Sequence, residues 1–166
     1  MKPSCRSTTP EKMTKTCPEC GIEGKIVGIK TLRNLITGGG VIDSENYRFC
    51  ATSDCPVVYY DSNGSTTFRK EDLIVRVGLK ETVPPIPVCY CFEITEENIR
   101  EEIYGTGNST VYQRIRAEVE AGRCACEIKN PSGRCCLPFV KKTEEILLQE
   151  KRDHKGGDKN ECKKES

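Results

Sequence analysis

Twelve cysteines in 166 residues are the chemistry this chain has to offer. Ten of them fall into close pairs: Cys17/Cys20, Cys50/Cys55, Cys89/Cys91, Cys124/Cys126 and Cys135/Cys136. Thiols at this density form either disulfides or metal sites. The pairing favours metal, because two thiolates a few residues apart can turn onto one ion, whereas scattered cross-links need no such spacing. A disulfide framework also needs an oxidising compartment. The opening residues, MKPSCRSTTPEKMTK, hold no apolar stretch of signal-peptide length. No window approaches the roughly 18 apolar residues of a membrane span. The expectation is a cytoplasmic protein whose reduced thiols bind metal.

Cys17-Pro-Glu-Cys20-Gly21 has the form of a zinc knuckle. The short gap lets a tight turn aim both sulfurs at one point, and Gly21 permits the backbone to fold under the ion. Cys50-Ala-Thr-Ser-Asp-Cys55 supplies a second pair from a loop between two strand candidates. Four thiolates make a closed, structural zinc site that is poorly suited to activating water. A rubredoxin-like iron site would use the same ligands, and buried, unligated Cys50 and Cys55 are the plainer alternative.

The remaining cysteines come later. Cys89-Tyr-Cys91 lies in extended chain just ahead of a helical pattern, and Cys124-Ala-Cys126 precedes Cys135-Cys136 by a short stretch. A [2Fe–2S] cluster takes four thiolates, and this region offers six. Cys89 and Cys91 stand alone and are the firm pair. Cys136 opens a helix, where free N–H groups and the helix dipole favour an anion. Cys135 is its neighbour, and adjacent residues in extended chain point opposite ways, so one of the two ligates.

These residues must be positioned by a small α+β fold. Residues 1–13 read as a disordered lead. Residues 14–82 read as a zinc-binding antiparallel β domain, with strand candidates at Lys25–Ile29, Asn46–Phe49, Val57–Tyr60 and Thr66–Phe68. Thr31–Ile36 reads as a helical turn, and Asp61-Ser-Asn-Gly64 is a turn signal. The proline-rich Glu81–Pro87 reads as a linker. Residues 83–150 read as a helical domain. Thr95 is placed to cap a helix from Glu96 to about Tyr104, and Ser109 to cap a second ending before Gly122. A third runs from Leu137 to Glu150, with Pro138 in its first turn. Residues 151–166 read as a disordered charged tail.

Composition excludes much else. Lys and Arg total 26 against 25 Asp and Glu, a net charge of +1, so no basic face for nucleic acid is expected. The chain has no Trp, no Gly-rich phosphate loop and no triad, and its one histidine, His154, falls in the expected tail. It is not expected to be an enzyme in the ordinary sense.

Two resemblances refine this. Cys-x-Cys, a helical stretch and further cysteines ahead of a helix resemble the bacterioferritin-associated ferredoxin type of [2Fe–2S] domain. Val88-Cys-Tyr-Cys91 with Asn130-Pro-Ser-Gly-Arg-Cys-Cys136 resembles, more specifically, the amino-terminal half of the archaeal CopZ copper-chaperone family. So do Cys17–Cys20, the block from Phe49-Cys50 through Cys55-Pro-Val-Val-Tyr-Tyr60, Phe68-Arg-Lys70 and Arg76-Val-Gly-Leu-Lys80. In that family a cysteine-ligated zinc domain precedes a [2Fe–2S] domain. Its pattern implies that the cysteine nine residues before the Cys-Cys pair ligates, which is Cys126 here. The implied cluster ligands are Cys89, Cys91, Cys126 and Cys136, with Cys124 and Cys135 as alternates. The implied zinc ligands are Cys17, Cys20, Cys50 and Cys55.

The resemblance implies electron transfer serving copper homeostasis, by reduction of Cu(II) or handover to a copper chaperone. The implied partner is a redox protein, a copper chaperone or a copper-transporting ATPase, with neither nucleic acid nor membrane involved. The alternatives are a redox- or metal-sensing interaction module and a colourless scaffold holding two zincs. The family's Met-x-Cys-x-x-Cys copper motif is not matched here, since Lys15 stands two residues before Cys17. Cys5 and Cys162 read as bystanders.

Overall fold

The computed structural model describes residues 14–38 and 40–156. The expected α+β character is present. Four short strands rich in aromatic and β-branched residues form an antiparallel sheet: β1 (Lys25–Val27), β2 (Tyr47–Phe49), β3 (Val57–Asp61) and β4 (Thr67–Arg69), adjacent in that order. The strand β3 is buried along its whole length, because both of its sides are covered. Val58 and Tyr59 join Val27, Leu32, Leu35, Tyr47 and Phe49 in one core. Val57 and Tyr60 pack with Cys17, Cys50 and Cys55 in another. The expected turn after β3 forms, with the Asp61 carboxylate accepting from the Asn63 N–H and Gly64 at φ +72°. The first strand is shorter than the expected Lys25–Ile29, because Ile29 opens α1 (Ile29–Leu35), which buries Thr31, Leu32 and Leu35.

The second half begins with a two-stranded hairpin, β5 (Pro87–Cys89) and β6 (Ile94–Thr95). Four helices follow: α2 (Glu96–Thr106), α3 (Val111–Glu120), α4 (Cys126–Lys129) and α5 (Leu137–Gly156). The Thr95 cap is as expected: its hydroxyl accepts from the Asn98 N–H, and the Asn98 side chain accepts from the Thr95 N–H. Gly107 at φ +91° ends α2. Three boundaries differ from expectation. The residue before α3 is Thr110, whose side chain makes no capping bond; the Ser109 hydroxyl accepts from the Val111 N–H at 3.2 Å and also donates to Glu144, which holds α3 to α5. The short helix α4 had no signal in the sequence. The last helix does not stop at Glu150 but runs on through Gly156, so residues 151–156 of the expected tail are helical. The Lys151 ammonium donates to the Ile103 carbonyl at the end of α2, a tertiary anchor that charge content alone does not reveal. Val88, Cys89, Ile99, Ile103, Val111, Ile115, Val140 and Leu147 form the core of this half.

The halves are joined by more than the chain. The Thr31 hydroxyl on α1 donates to the Glu127 carbonyl of α4 at 2.6 Å, and the buried Tyr59 hydroxyl donates to the Pro131 carbonyl at 2.6 Å. The stretch Glu81–Pro87 is no free spacer. The Arg76 guanidinium donates to the Val83 and Pro85 carbonyls and pairs with Glu81 at 2.7 Å, while Pro87 belongs to β5. The expected lead, residues 1–13 with Cys5, lies outside the described residues, as do 157–166 with Cys162. No described helix is long and apolar enough to cross a membrane.

Candidate metal centres

The first centre is built by a turn and a loop beside β3. The Gly21 N–H donates to the Cys17 carbonyl at 2.8 Å, and Gly21 sits at φ +73°, the left-handed conformation a knuckle requires. The Cys50 N–H donates to the Val58 carbonyl at 2.8 Å, which ties the second pair's loop to β3. Together these bring Cys17, Cys20, Cys50 and Cys55 into one cluster, with every sulfur within 4.8 Å of the others. The Cys17–Cys55 and Cys20–Cys50 sulfurs are 3.9 and 3.7 Å apart. A tetrahedron of thiolates at the usual zinc–sulfur bond length has edges of about 3.8 Å. Two of the cluster's edges match that length, and the rest lie within 4.8 Å.

The thiols differ sharply in acidity. A hydrogen bond between the Thr52 hydroxyl and the Cys20 sulfur pulls the Cys20 thiol down to about 6. Burial pushes Cys17 up, and pushes Cys55 up to about 12. Four thiolates cannot share so dry a space without a cation, so the donor set and its burial call for a metal.

The second centre lies between the β5–β6 hairpin and the starts of α4 and α5. Cys89 ends β5, Cys91 lies in the turn closed by Glu93 at φ +53°, Cys126 opens α4, and Cys136 immediately precedes α5. The structure sorts these four into two pairs. The Cys89 and Cys136 sulfurs are 3.0 Å apart, and those of Cys91 and Cys126 are 3.5 Å apart. The Ala125 N–H donates to the Cys91 sulfur at 3.1 Å. The hydrogen bond from Cys136 lowers the Cys89 thiol to about 6, and the same bond with burial drives Cys136 far upward. Burial pushes Cys126 up to about 12. Cys89, Cys126 and Cys136 are buried, and Cys91 is half-buried.

Neither alternate's sulfur is bonded to a sulfur of these pairs. Cys124 is half-buried at the edge of the helical core, and Cys135 is exposed. Cys135 borders a cavity of about 370 Å³ between the halves, with Phe49, Val77, Tyr90 and Phe139 among its walls.

Three residues around these centres were given no role by the sequence. Thr52 bonds the Cys20 sulfur. Lys80, from the turn Gly78–Lys80, reaches the Thr52 and Cys55 carbonyls at 2.6 and 3.0 Å. Tyr90, between Cys89 and Cys91, donates to the Arg76 carbonyl at 2.7 Å and accepts from the Gly78 N–H at 2.8 Å. Position beside a cysteine is the one sequence signal that Thr52 and Tyr90 give. Lys80 gives none.

Comparison with known proteins fits the first centre. The zf_CopZ family, described as a zinc binding domain, matches residues 14–74. The copper chaperone CopZ of Archaeoglobus fulgidus is 36% identical over 121 residues, which are 72% of this chain and 57% of that protein. The chain thus spans little more than half of that chaperone's length. The X-ray structure of the A. fulgidus CopZ N-terminal domain superposes with a TM-score of 0.65 at 35% identity, covering 76% of this chain and 95% of that domain.

Proposed function

The chain belongs to the family of the CopZ amino-terminal domain, with its zinc-binding four-cysteine cluster, and from that premise we propose that it is an electron-transfer protein carrying one zinc and one [2Fe–2S] cluster in the service of copper homeostasis. The observation that carries the redox half is the sorting of the later thiols into Cys89/Cys136 and Cys91/Cys126. A two-iron cluster needs four thiolates, two on each iron. Two close pairs within one core suit that demand, whereas the first centre's single compact cluster suits one ion.

When bound, the cluster supplies one-electron chemistry. The protein's own part is to hold and tune it. Burial of Cys89, Cys126 and Cys136 limits water, and the Ala125 N–H donates to the Cys91 sulfur, a bond that favours the anionic ligand. The free N–H groups at the start of α5 lie next to Cys136 and favour negative charge there. Cys91, half-buried, marks the side on which a partner comes nearest.

The electron acceptor in this reading is Cu(II). One electron converts it to Cu(I), the soft ion that thiolates prefer. The electron comes from a redox partner protein, and the Cu(I) passes to a copper chaperone or a copper-transporting ATPase. The chain acts as a carrier with metal-reductase activity and turns over no organic substrate. The first centre is the rigid platform.

The test is anaerobic purification followed by metal analysis and EPR of the reduced sample. About two irons and one zinc per chain are expected, with a reduced-cluster signal that Cu(II) discharges. A chain that takes up no iron on anaerobic reconstitution overturns the reading.

A further inference from the structure

We infer that Lys80 is the counter-charge of the first centre, a positioning residue that stabilises its metal-loaded state through the charge of the ammonium. Lys80 is only 5% exposed. Lysine is almost never buried without a partner of opposite charge, because an unpaired ammonium in a dry environment is costly. Yet Lys80 forms no ion pair among the described residues. Its neighbour Glu81 is engaged by Lys70 and Arg76. The ammonium is aimed instead at two carbonyls of the ligand loop, Thr52 at 2.6 Å and Cys55 at 3.0 Å.

The missing negative charge is the metal centre. Four thiolates around a divalent ion leave a net charge of about −2. Lys80 lies against the loop that carries two of those thiolates, and Cys55 is both a cluster residue and its hydrogen-bond acceptor. The ammonium then offsets part of the anionic charge, and the anionic centre compensates the buried ammonium. Thr52 is engaged twice: its carbonyl holds Lys80 while its hydroxyl bonds the Cys20 sulfur. This inference rests on the zinc reading of the first centre and is independent of the redox reading of the second.

Three substitutions separate charge from mere clamping. Lys80→Gln keeps hydrogen-bond donors but loses the charge, Lys80→Met loses both, and Lys80→Arg keeps both. Zinc affinity is measured on the full chain by competition with a chromogenic chelator, and zinc release is timed from the loaded protein, which needs no folded metal-free form. Gln and Met are expected to weaken zinc binding together, by about 10- to 100-fold, the size typical of lost support around a ligand shell. Arg is expected to hold most of the affinity, and if it cannot be seated, the Gln and Met pair decides alone. Gln matching the parent while Met fails would make Lys80 a neutral clamp and overturn the inference, as would three variants that all retain zinc. A parent protein that holds no zinc would sink the zinc reading itself.

Discussion

The seam between the halves can be tested at Gly133. This residue sits at φ +66°, and a methyl group there would lie 2.9 Å from the Thr31 hydroxyl oxygen and 3.2 Å from a Val27 methyl. Gly133→Ala therefore meets two costs. The left-handed backbone costs an L-residue about 1–2 kcal/mol. The Thr31 side chain must also move, which breaks its bond to the Glu127 carbonyl for about 1 kcal/mol more. The sum, about 2–3 kcal/mol, lowers the melting temperature of a chain this size by roughly 4–12 °C. Thr31→Ala alone loses the same bond, about 1 kcal/mol, and makes room for the new methyl. The double variant should therefore cost about 1 kcal/mol less than the sum of the singles. Urea unfolding of the zinc-loaded protein, followed by circular dichroism, reads all three. A harmless Gly133→Ala, or strict additivity in the cycle, would show that the halves do not meet as described.

Other expectations follow from the thiols and from one carboxylate. Cys126→Ser should abolish iron loading while Cys124→Ser leaves it intact, because the Cys126 sulfur faces Cys91 at 3.5 Å and Cys124 is in neither pair; iron content and the visible spectrum decide, and the opposite pattern refutes the ligand choice. Glu102 accepts from the Thr110 hydroxyl and N–H and pairs with Arg114, and the Thr110 hydroxyl above all holds its carboxyl below the usual range. Its folded value is depressed, so its contribution is full above the ordinary carboxylate range and is lost as pH falls through the folded value. Glu102→Gln should cost about 1 kcal/mol at neutral pH, a difference that shrinks in acid; a cost that stays constant in urea unfolding across that range would refute the assignment.

What the sequence disclosed depended on how local the cause was. The knuckle at Cys17–Cys20, the Asp61–Gly64 turn and the Thr95 cap rest on contacts within a few residues, and each was legible. The four strands of the first sheet were found to within a residue or two, because aromatic and β-branched residues cluster there, whereas the short hairpin β5–β6 was not. The helix α4 was not, since four residues carry no periodicity. The continuation of α5 past Glu150 rests in part on Lys151 reaching the end of α2, a contact 48 residues distant in sequence. The prolines of 81–87 were read as a boundary, but Arg76 pins them and Thr31, Tyr59 and Tyr90 cross it. Among the six later cysteines, local argument favoured Cys136 through the start of α5. Cys126 was named through family resemblance, because nothing near it in sequence distinguishes it from Cys124. Lys80 and its buried charge are tertiary from the start.

The Tyr90 hydroxyl has a bearing on how the molecule is manufactured. Its socket is the backbone of Arg76 and Gly78, which exists only once that stretch has settled, and Lys80 at its end is secured in the first centre's loop. Chains emerge from synthesis amino-terminus first and fold in that order. The expected consequence is an order of assembly, in which the loop that carries Cys50 and Cys55 settles before the hairpin that presents Cys89 and Cys91 can lock onto it.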